Sequence, residues 1–501
     1  MREVEVDAVP LDRLAVLVDA ERAVRIGRYA ERARTMLHGR TVWNVNATAQ
    51  GGGVAEMLHA LLAYGRGVGV DTRWLVVDGT PDFFRLTKRL HNQLHGSPGD
   101  GGPIGDVERA VYDSVLGVNL VQLRTLVQPG DIVLLHDPQT VGLVTGLREV
   151  GAHVAWRCHV GRDETNEHTD AAWAFLHPYV EQADATVFSR RAFAPAWTDP
   201  TGVWVIPPSL DPFTAKNAEL ALPEVEAALR HTGILGDGEG HGDLAFVRRH
   251  GARGVVRSHV HLMGAGGPVP PGARVVLQVS RWDRLKDMAG VLTAFATHLP
   301  RLPADVHLVL VGPDVSGVSD DPEGALVLAE CEKLWSEQDE ETRARIHLCS
   351  LPMDDIDENA HLVNALQRHA TVVVQKSLEE GFGLTVTEPM WKGKPVVASA
   401  VGGIQDQIID GESGLLLEDP ADLDAFVDRL LEVLEDEELG VRPGARPVPR
   451  RPAPDPVRRP LRRPAGRPAG PGRLAPTRRT RPRAGGGASH LCVAIRLGIN
   501  L

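Results

Sequence analysis

Residues 376–399, KSLEEGFGLTVTEPMWKGKPVVAS, decide the fold. An acidic loop, Glu379-Glu380, runs into the turn Gly381-Phe382-Gly383. A helix is predicted to begin near Leu384, and a short strand to follow at Pro395-Val396-Val397. A glycine turn feeding a helix leaves backbone N–H groups free at the positive end of the helix dipole. Glu380 and Glu388 flank that end, one before the turn and one in the second helical turn. Carboxylate acceptors beside N–H donors suit a ligand carrying both hydroxyls and phosphate.

Working outward, the same strand-then-helix rhythm recurs along the chain. Strands are predicted at Thr41 to Val45, Trp74 to Val77, Ile132 to Leu135, Val154 to Trp156 and Ala185 to Phe188, with helical segments between them. A second set covers Arg274 to Val279, Val306 to Val311, Ile346 to Leu348, Thr371 to Val374 and Pro395 to Ala398. Such alternation implies parallel, doubly wound sheets, here two Rossmann-like halves with ligands at the carboxyl ends of the strands. The expected domains are an N-terminal appendage (1–37, with a helix from Leu11 to Met36) and a first Rossmann-like domain (38–212) ending in the turn Ile206 to Pro212. A helical connector running to about Pro271 and the second Rossmann-like domain fill 213–440, and a tail covers 441–501.

The formal net charge of −12 hides an asymmetry. The tail carries 15 arginines, no lysine and one acid, Asp455, so residues 1–440 stand at −26. A body that acidic argues against a nucleic-acid partner, and any phosphate must be held by a few placed cations. The tail also holds 12 of the 36 prolines and has no periodicity, which forbids regular structure. It reads as a disordered basic segment or a shifted frame; Arg, Pro, Ala and Gly are what high-GC codons give when misread, and 47 Arg against 7 Lys fits such a genome. No apolar run approaches the ~18 residues of a membrane span, the N-terminus lacks a signal-peptide plan, and four scattered cysteines fit a reducing compartment. A cytoplasmic protein is expected.

Arg281 and Lys286 follow a predicted strand in QVSRWDRLKD (278–287), where a bidentate fork and a mobile point charge can share a diphosphate. The run Thr48 to Gly53 has neither P-loop nor dinucleotide spacing; Gly52 and Gly53 read as a tight strand-to-helix turn. Arg157, His159 and the turn His136-Asp137-Pro138-Gln139 lie at other strand ends, with Asp137 a candidate for binding hydroxyls. His91 and His95 share a helix face as zinc ligands do, but no third ligand accompanies them. Asp354, Asp355, Asp357 and Glu358 could mimic a metal-binding cluster, and Asp355 with Glu358 fits a capping box instead. No metal and no cofactor is required.

The E-x7-E segment resembles the retaining GT-B glycosyltransferases of family 4. VWNVNATAQGGGVAEML (42–58), FFRLTKRLHNQLHG (83–96), WRCHVGRD (156–163), IPPSLDPFTAKN (206–217), QVSRWDRLKD and LPMDDIDENAHLVNALQ (351–367) are similar to its trehalose-forming group, the glycosyltransferring synthases and retaining trehalose phosphorylases. The resemblance covers about residues 38–438 and ends where that family's C-terminal helix crosses back to the first domain. It implies a GT-B fold and transfer of glucose from ADP-, UDP- or GDP-glucose to glucose, giving α,α-trehalose. Phosphorolysis of trehalose, a nicotinamide oxidoreductase and a disabled nucleotide-sugar-binding protein are the alternatives. By resemblance, Arg281 and Lys286 hold the donor diphosphate, Glu388 the ribose, and Glu380 and His159 the transferred glucose. Gly52, Gly53, Gly383 and Leu384 approach the donor closely, and Lys88, His91, Asn92, Arg157 and Asp137 line the acceptor pocket. Sugars and nucleotide sugars are the expected partners, with no membrane; Mg2+ dependence and a homodimer are left open.

Overall fold

Two seven-stranded sheets organise the protein in a computed structural model that describes residues 1–49, 52–236, 242–263, 267–315 and 322–436. The tail expectation, 441–501, lies outside the described residues. The first sheet comprises β1 (Arg2–Val4), β2 (Thr41–Asn46), β3 (Asp71–Val76), β4 (Ile132–His136), β5 (His153–Cys158), β6 (Ala185–Phe188) and β7 (Val203–Val205). Its order is β1-β3-β2-β4-β5-β6-β7, all parallel except β1 against β3. A hairpin of β8 (Ala245–Val247) and β9 (Arg253–Val255) stands apart.

The second sheet contains β10 (His261–Met263), β11 (Arg274–Val279), β12 (Val306–Pro313), β13 (Ile346–Leu351), β14 (Val372–Gln375), β15 (Val396–Ser399) and β16 (Leu415–Leu417). It runs β10-β13-β12-β11-β14-β15-β16, with only β10 antiparallel. Helices cover both faces, so the central strands are buried on both sides and apolar throughout; Val372, Val374, Val396 and Val397 are fully enclosed. This is the two-domain GT-B arrangement implied by the sequence.

Strand order also locates the ligand site. In the first sheet the chain moves from β2 outward to β3 and then back to β4 on the other side, so the order reverses between β2 and β4. In the second, the reversal lies between β11 and β14. Crevices at such switch points are where doubly wound sheets bind ligands. The loops leaving these four strands carry Gly52 and Gly53, Asp137, Arg281 and Lys286, and Glu380 respectively.

Local structure departs from expectation at three places. The helix expected from Leu11 to Met36 is a 3-10 turn, Leu11–Leu17, followed by a separate α-helix, Ala20–Met36; Asp19 accepts from Arg22 N at 2.8 Å and starts the second. The segment read as an appendage supplies β1 to the first sheet. The helical connector is one helix, Leu222–His231, plus β8, β9 and β10. At Asp355 the cap forms, with Glu358 N donating at 3.2 Å, but the reciprocal half of the box does not. Glu358 instead accepts from Arg257 N at 2.8 Å and Ser258 N at 2.7 Å, pinning the connector to the second domain. Among the described residues no helix is long and apolar enough to cross a membrane.

Candidate active site

The loop after β11 is held rigidly from within. Asp283 accepts from Leu285 N at 2.9 Å and pairs with Arg281 Nη2 at 3.0 Å. Burial pushes the Asp283 carboxyl up, but Arg281, Lys286 and Lys88 outweigh it and bring its pKa down to about 2. Asp287 takes the left-handed backbone (φ 49°), caps the helix Met288–Thr297 and pairs with the buried Lys376. The Lys286 ammonium is thereby aimed across to Glu380, Nζ to Oε2 2.6 Å, with both side chains largely buried. Arg281 is the exposed member of the pair, at 46%.

Glycine geometry fixes the loop after β14. Gly383 caps the helix Leu384–Trp391 at φ 88°, and Leu378 N donates to Leu285 O at 2.8 Å, joining this loop to the previous one. A Cβ on Gly402 would stand 1.7 Å from the Glu380 carbonyl, so only glycine lets that chain pass beneath Glu380. Glu388 lies in the same helix but deeper, 2% exposed. Its Oε1 is 2.9 Å from Lys216 Nζ and its Oε2 accepts from Gln367 Nε2 at 3.1 Å. Lys216, on the connector, also reaches Glu56 of the first domain at 3.1 Å.

First-domain groups come from facing loops. Gly52 takes φ 85° before the helix Gly53–Gly67, and a Cβ on Gly53 would lie 3.2 Å from Leu384 Cδ1. Two helix N-termini therefore converge there, a setting that favours an anion. Asp137, left-handed at φ 63°, accepts from His159 N at 2.8 Å; burial pushes its carboxyl up to about 7 despite that bond and Arg157. Arg157 is 1% exposed, donates to Ile206 O at 3.3 Å, and keeps Nε and Nη1 without a partner among the described residues; burial lowers it to about 9. His159 is packed under Gly381, where a Cβ would approach its carbonyl to 2.7 Å.

The helix Pro81–Leu94 supplies Lys88, His91 and Asn92, with His95 at its end. The His91 and His95 rings meet edge to face, centroids 5.0 Å apart. Burial lowers His95 to about 4; Lys286 lowers it further, while Glu380 and Asp283 oppose. Burial pushes His91 well down too, followed by His95, Lys88 and Arg281. The fields of Lys286, Glu380 and Asp283 on His95, and of Arg281 on His91, cross from one domain to the other. Lys88 Nζ comes within 3.7 Å of Glu323, and Arg162 pairs with Glu379 at 3.0 Å. Asn92 is tied to His91 Nδ1 at 3.4 Å and its carbonyl accepts from Ser97 N at 3.0 Å, so it also shapes the turn.

Arg281, Lys286, Glu380, Lys88, His91 and His159 thus meet around one interdomain space, while Glu388 sits behind it with Lys216. A separate cavity of about 680 Å³ lies between Arg2 to Glu5 and His59 on one side and Arg248 to His250 and Asp354 to Asp357 on the other; none of the expected site residues lines it. Among the described residues no group of three or more His, Cys, Asp or Glu could hold a metal ion. Sequence reasoning gave no role to Lys216, Gln367 or Asn44, and placed His136 at a strand end without one. Asn44 and His136 had a signal, polar side chains in otherwise apolar strands; Lys216 and Gln367 lie in the family-like stretches 206–217 and 351–367 but had no signal of their own within them.

Known proteins match this chain over most of its length. Residues 44–195 match the family described as trehalose synthase, N-terminal domain, and residues 266–446 match glycosyl transferases group 1. A trehalose synthase of Pyrococcus horikoshii is 33% identical over 430 residues, spanning 86% of this chain and 88% of its own. A trehalose phosphorylase of Pleurotus pulmonarius is 27% identical over 79% of this chain and 52% of its own. In fold, an α,α-trehalose 6-phosphate synthase from Burkholderia multivorans superposes with TM-score 0.57 at 17% identity, over 80% of this chain and 92% of that one. The chain is a hexosyltransferase and belongs to the trehalose synthase family of group 1 glycosyl transferases.

Proposed function

We propose that the protein transfers glucose from a nucleoside diphosphate glucose to the anomeric hydroxyl of free glucose, forming α,α-trehalose with retention. The observation that carries this reading is the Lys286–Glu380 pair at 2.6 Å, facing buried His95 and His159 across the domain boundary. A cation for the leaving diphosphate and a carboxylate for sugar hydroxyls stand side by side, as glycosyl transfer from a sugar diphosphate requires. His95 Nδ1 and Arg157 Nε and Nη1 are buried with no partner among the described residues. Such unfilled capacity is costly unless a polyhydroxyl ligand fills it.

Arg281, Lys286 and the converging helix N-termini at Gly53 and Leu384 bind the diphosphate and stabilise charge as the bond to the anomeric carbon breaks. Glu388 takes the ribose, sharing its carboxylate with Lys216. Glu380 and His159 hold the glucose. The acceptor occupies the side lined by Lys88, His91, Asn92, Asp137 and Arg157, and attacks from the face the diphosphate leaves, its proton passing to a departing phosphate oxygen. Contacts such as Arg162–Glu379 and Arg190–Asp406 at 3.2 Å hold the domains together, excluding the water that would hydrolyse the donor.

Incubation with ADP-, UDP- and GDP-glucose plus glucose, read by carbon NMR, tests the proposal. α,α-Trehalose is the expected product. Trehalose consumption with orthophosphate, and no product from any nucleotide sugar, would replace it with phosphorolysis.

A further inference from the structure

Strand β2 buries an asparagine, Asn44, at 2% exposure. Its Oδ1 lies 3.1 Å from His136 Nε2 on the neighbouring strand β4. His136 Nδ1 lies in turn 3.1 Å from Nε2 of His159, just beyond β5. Three side chains from adjacent strands therefore form a line that ends at the site. The two ring centroids are 5.4 Å apart with planes 12° from parallel. With the nitrogens at 3.1 Å, this is an in-plane N–H···N bond joining ring edges.

Each such bond needs one donor and one acceptor, and a neutral imidazole has one of each. With Oδ1 turned to His136 and its own Nδ2 buried without a partner among the described residues, Asn44 can only accept, so His136 Nε2 carries the proton and its Nδ1 is bare. His159 Nε2 must then donate. The nitrogen that remains, His159 Nδ1, has a lone pair and no partner among the described residues. Burial keeps both rings neutral, lowering His136 to about 3 and His159 well below its ordinary value, and Arg157 pushes both the same way. Asp137 meets His159 at its backbone N, 2.8 Å away, and so does not compete for the ring.

We infer that Asn44 and His136 are positioning residues that fix His159 as its Nε2–H tautomer, so that Nδ1 meets the bound sugar as a hydrogen-bond acceptor. The sugar's identity rests on the proposed glucosyl transfer; the tautomer does not. An accepting nitrogen rewards a hydroxyl and rejects a fluorine or ether at the same position, which have no proton to give. It also bars His159 from acting as an acid.

The test is long-range proton–nitrogen correlation on the full nitrogen-15-labelled chain without ligand, with His136 and His159 assigned through His136→Gln and His159→Gln. At neutral pH both rings should be Nε2–H, with His159 Nδ1 in the range of a bare ring nitrogen. Asn44→Asp keeps an acceptor and should preserve this pattern; Asn44→Leu, checked for fold by circular dichroism, should mix the tautomers of both rings. An Nδ1–H His159 in the native chain, or an unchanged tautomer in Asn44→Leu, overturns the relay. Donor analogues supply the second arm: at the hydroxyl His159 contacts, deoxy and fluoro donors should lose kcat/KM equally, about tenfold, and a fluoro donor that rescues the deoxy loss refutes an accepting nitrogen. If no nucleotide sugar is turned over, the glucosyl-transfer reading fails while the tautomer result still decides the relay.

Discussion

Replacing Lys216 by methionine keeps the side chain's length and removes one charge from a chain of three. Glu388, buried, would lose its partner at 2.9 Å and keep only the Gln367 amide at 3.1 Å. Removing one member of a buried ion pair costs roughly 3–5 kcal/mol, because the other charge is stranded away from water. The surviving bond to a charged acceptor offsets part of that, leaving about 3 kcal/mol. Glu388→Gln is milder. Lys216 retains Glu56, whose side chain is 51% exposed, and the new amide still bonds, so about 1 kcal/mol is expected. At 2–4 °C per kcal/mol for domains of this size, Lys216→Met should lower the melting temperature by about 6–12 °C and Glu388→Gln by about 2–4 °C. The double variant should melt close to Glu388→Gln alone, since the stranded charge is gone. Calorimetry of the three variants reads this directly. Equal losses in the two single variants, or additive losses in the double, would refute the claim that Glu388 is a buried charge depending on Lys216. Titration calorimetry adds the functional side: Glu388→Gln should weaken nucleoside diphosphate binding about tenfold, one hydrogen bond to a charged group, and unchanged affinity removes the ribose assignment.

Lys286→Met should lower kcat/KM at least about a hundredfold, on the scale of losing a preorganised charge at the leaving group. Arg281→Ala, an exposed cation, should lose roughly tenfold and regain part of it at low salt; the opposite ranking contradicts the assigned roles. Asp137 has a pKa raised from 3.8 to about 7 by burial. Its neutral form is therefore favoured in the fold, and stability present below about pH 4 is lost as pH rises to about 7, by about 3–4 kcal/mol. Asp137→Asn keeps the acceptor for His159 N and tolerates the left-handed backbone, so its stability should not show this fall; parallel melting-temperature curves from pH 4 to 8 would defeat the assignment. Gly402→Ala forces a Cβ to 1.7 Å from the Glu380 carbonyl. It should abolish more than about nine-tenths of activity by moving Glu380, since misplacement of about 1 Å costs on the order of a hundredfold, and near-native turnover would show the loop to be compliant.

What the chain's letters disclosed follows the range of the interactions involved. Strands Ala185–Phe188 and Arg274–Val279 match their predicted runs residue for residue, because a strand buried on both faces is rich in apolar and β-branched residues, with few interruptions such as Gln278. The helix at Leu384 was equally legible, since Gly383 marks its start. The break at Asp19 was not: a cap inside a periodic stretch competes with a continuous helix, and tertiary packing decides. The short strands β8 to β10 were hidden because three residues are too few for a period to register. At the site, the residues near glycine turns could be named, while the groups that support them could not. Lys216 lies 172 residues from Glu388 in sequence, and the ion pair joining them is a property of two domains meeting. One compositional trace did exist. The chain has 47 arginines and only 7 lysines, and five of the seven (Lys88, Lys216, Lys286, Lys376 and Lys392) bond to or pair with residues of the two switch-point loops, Glu388, or the facing domain. Lys392 donates to Gln367 at 2.7 Å, behind Glu388, and burial lowers it to about 7. A guanidinium cannot replace such an ammonium: it is planar, larger, and does not give up its proton when buried. In an arginine-rich chain, then, a lysine here marks a position where a compact charge fits and a planar guanidinium does not.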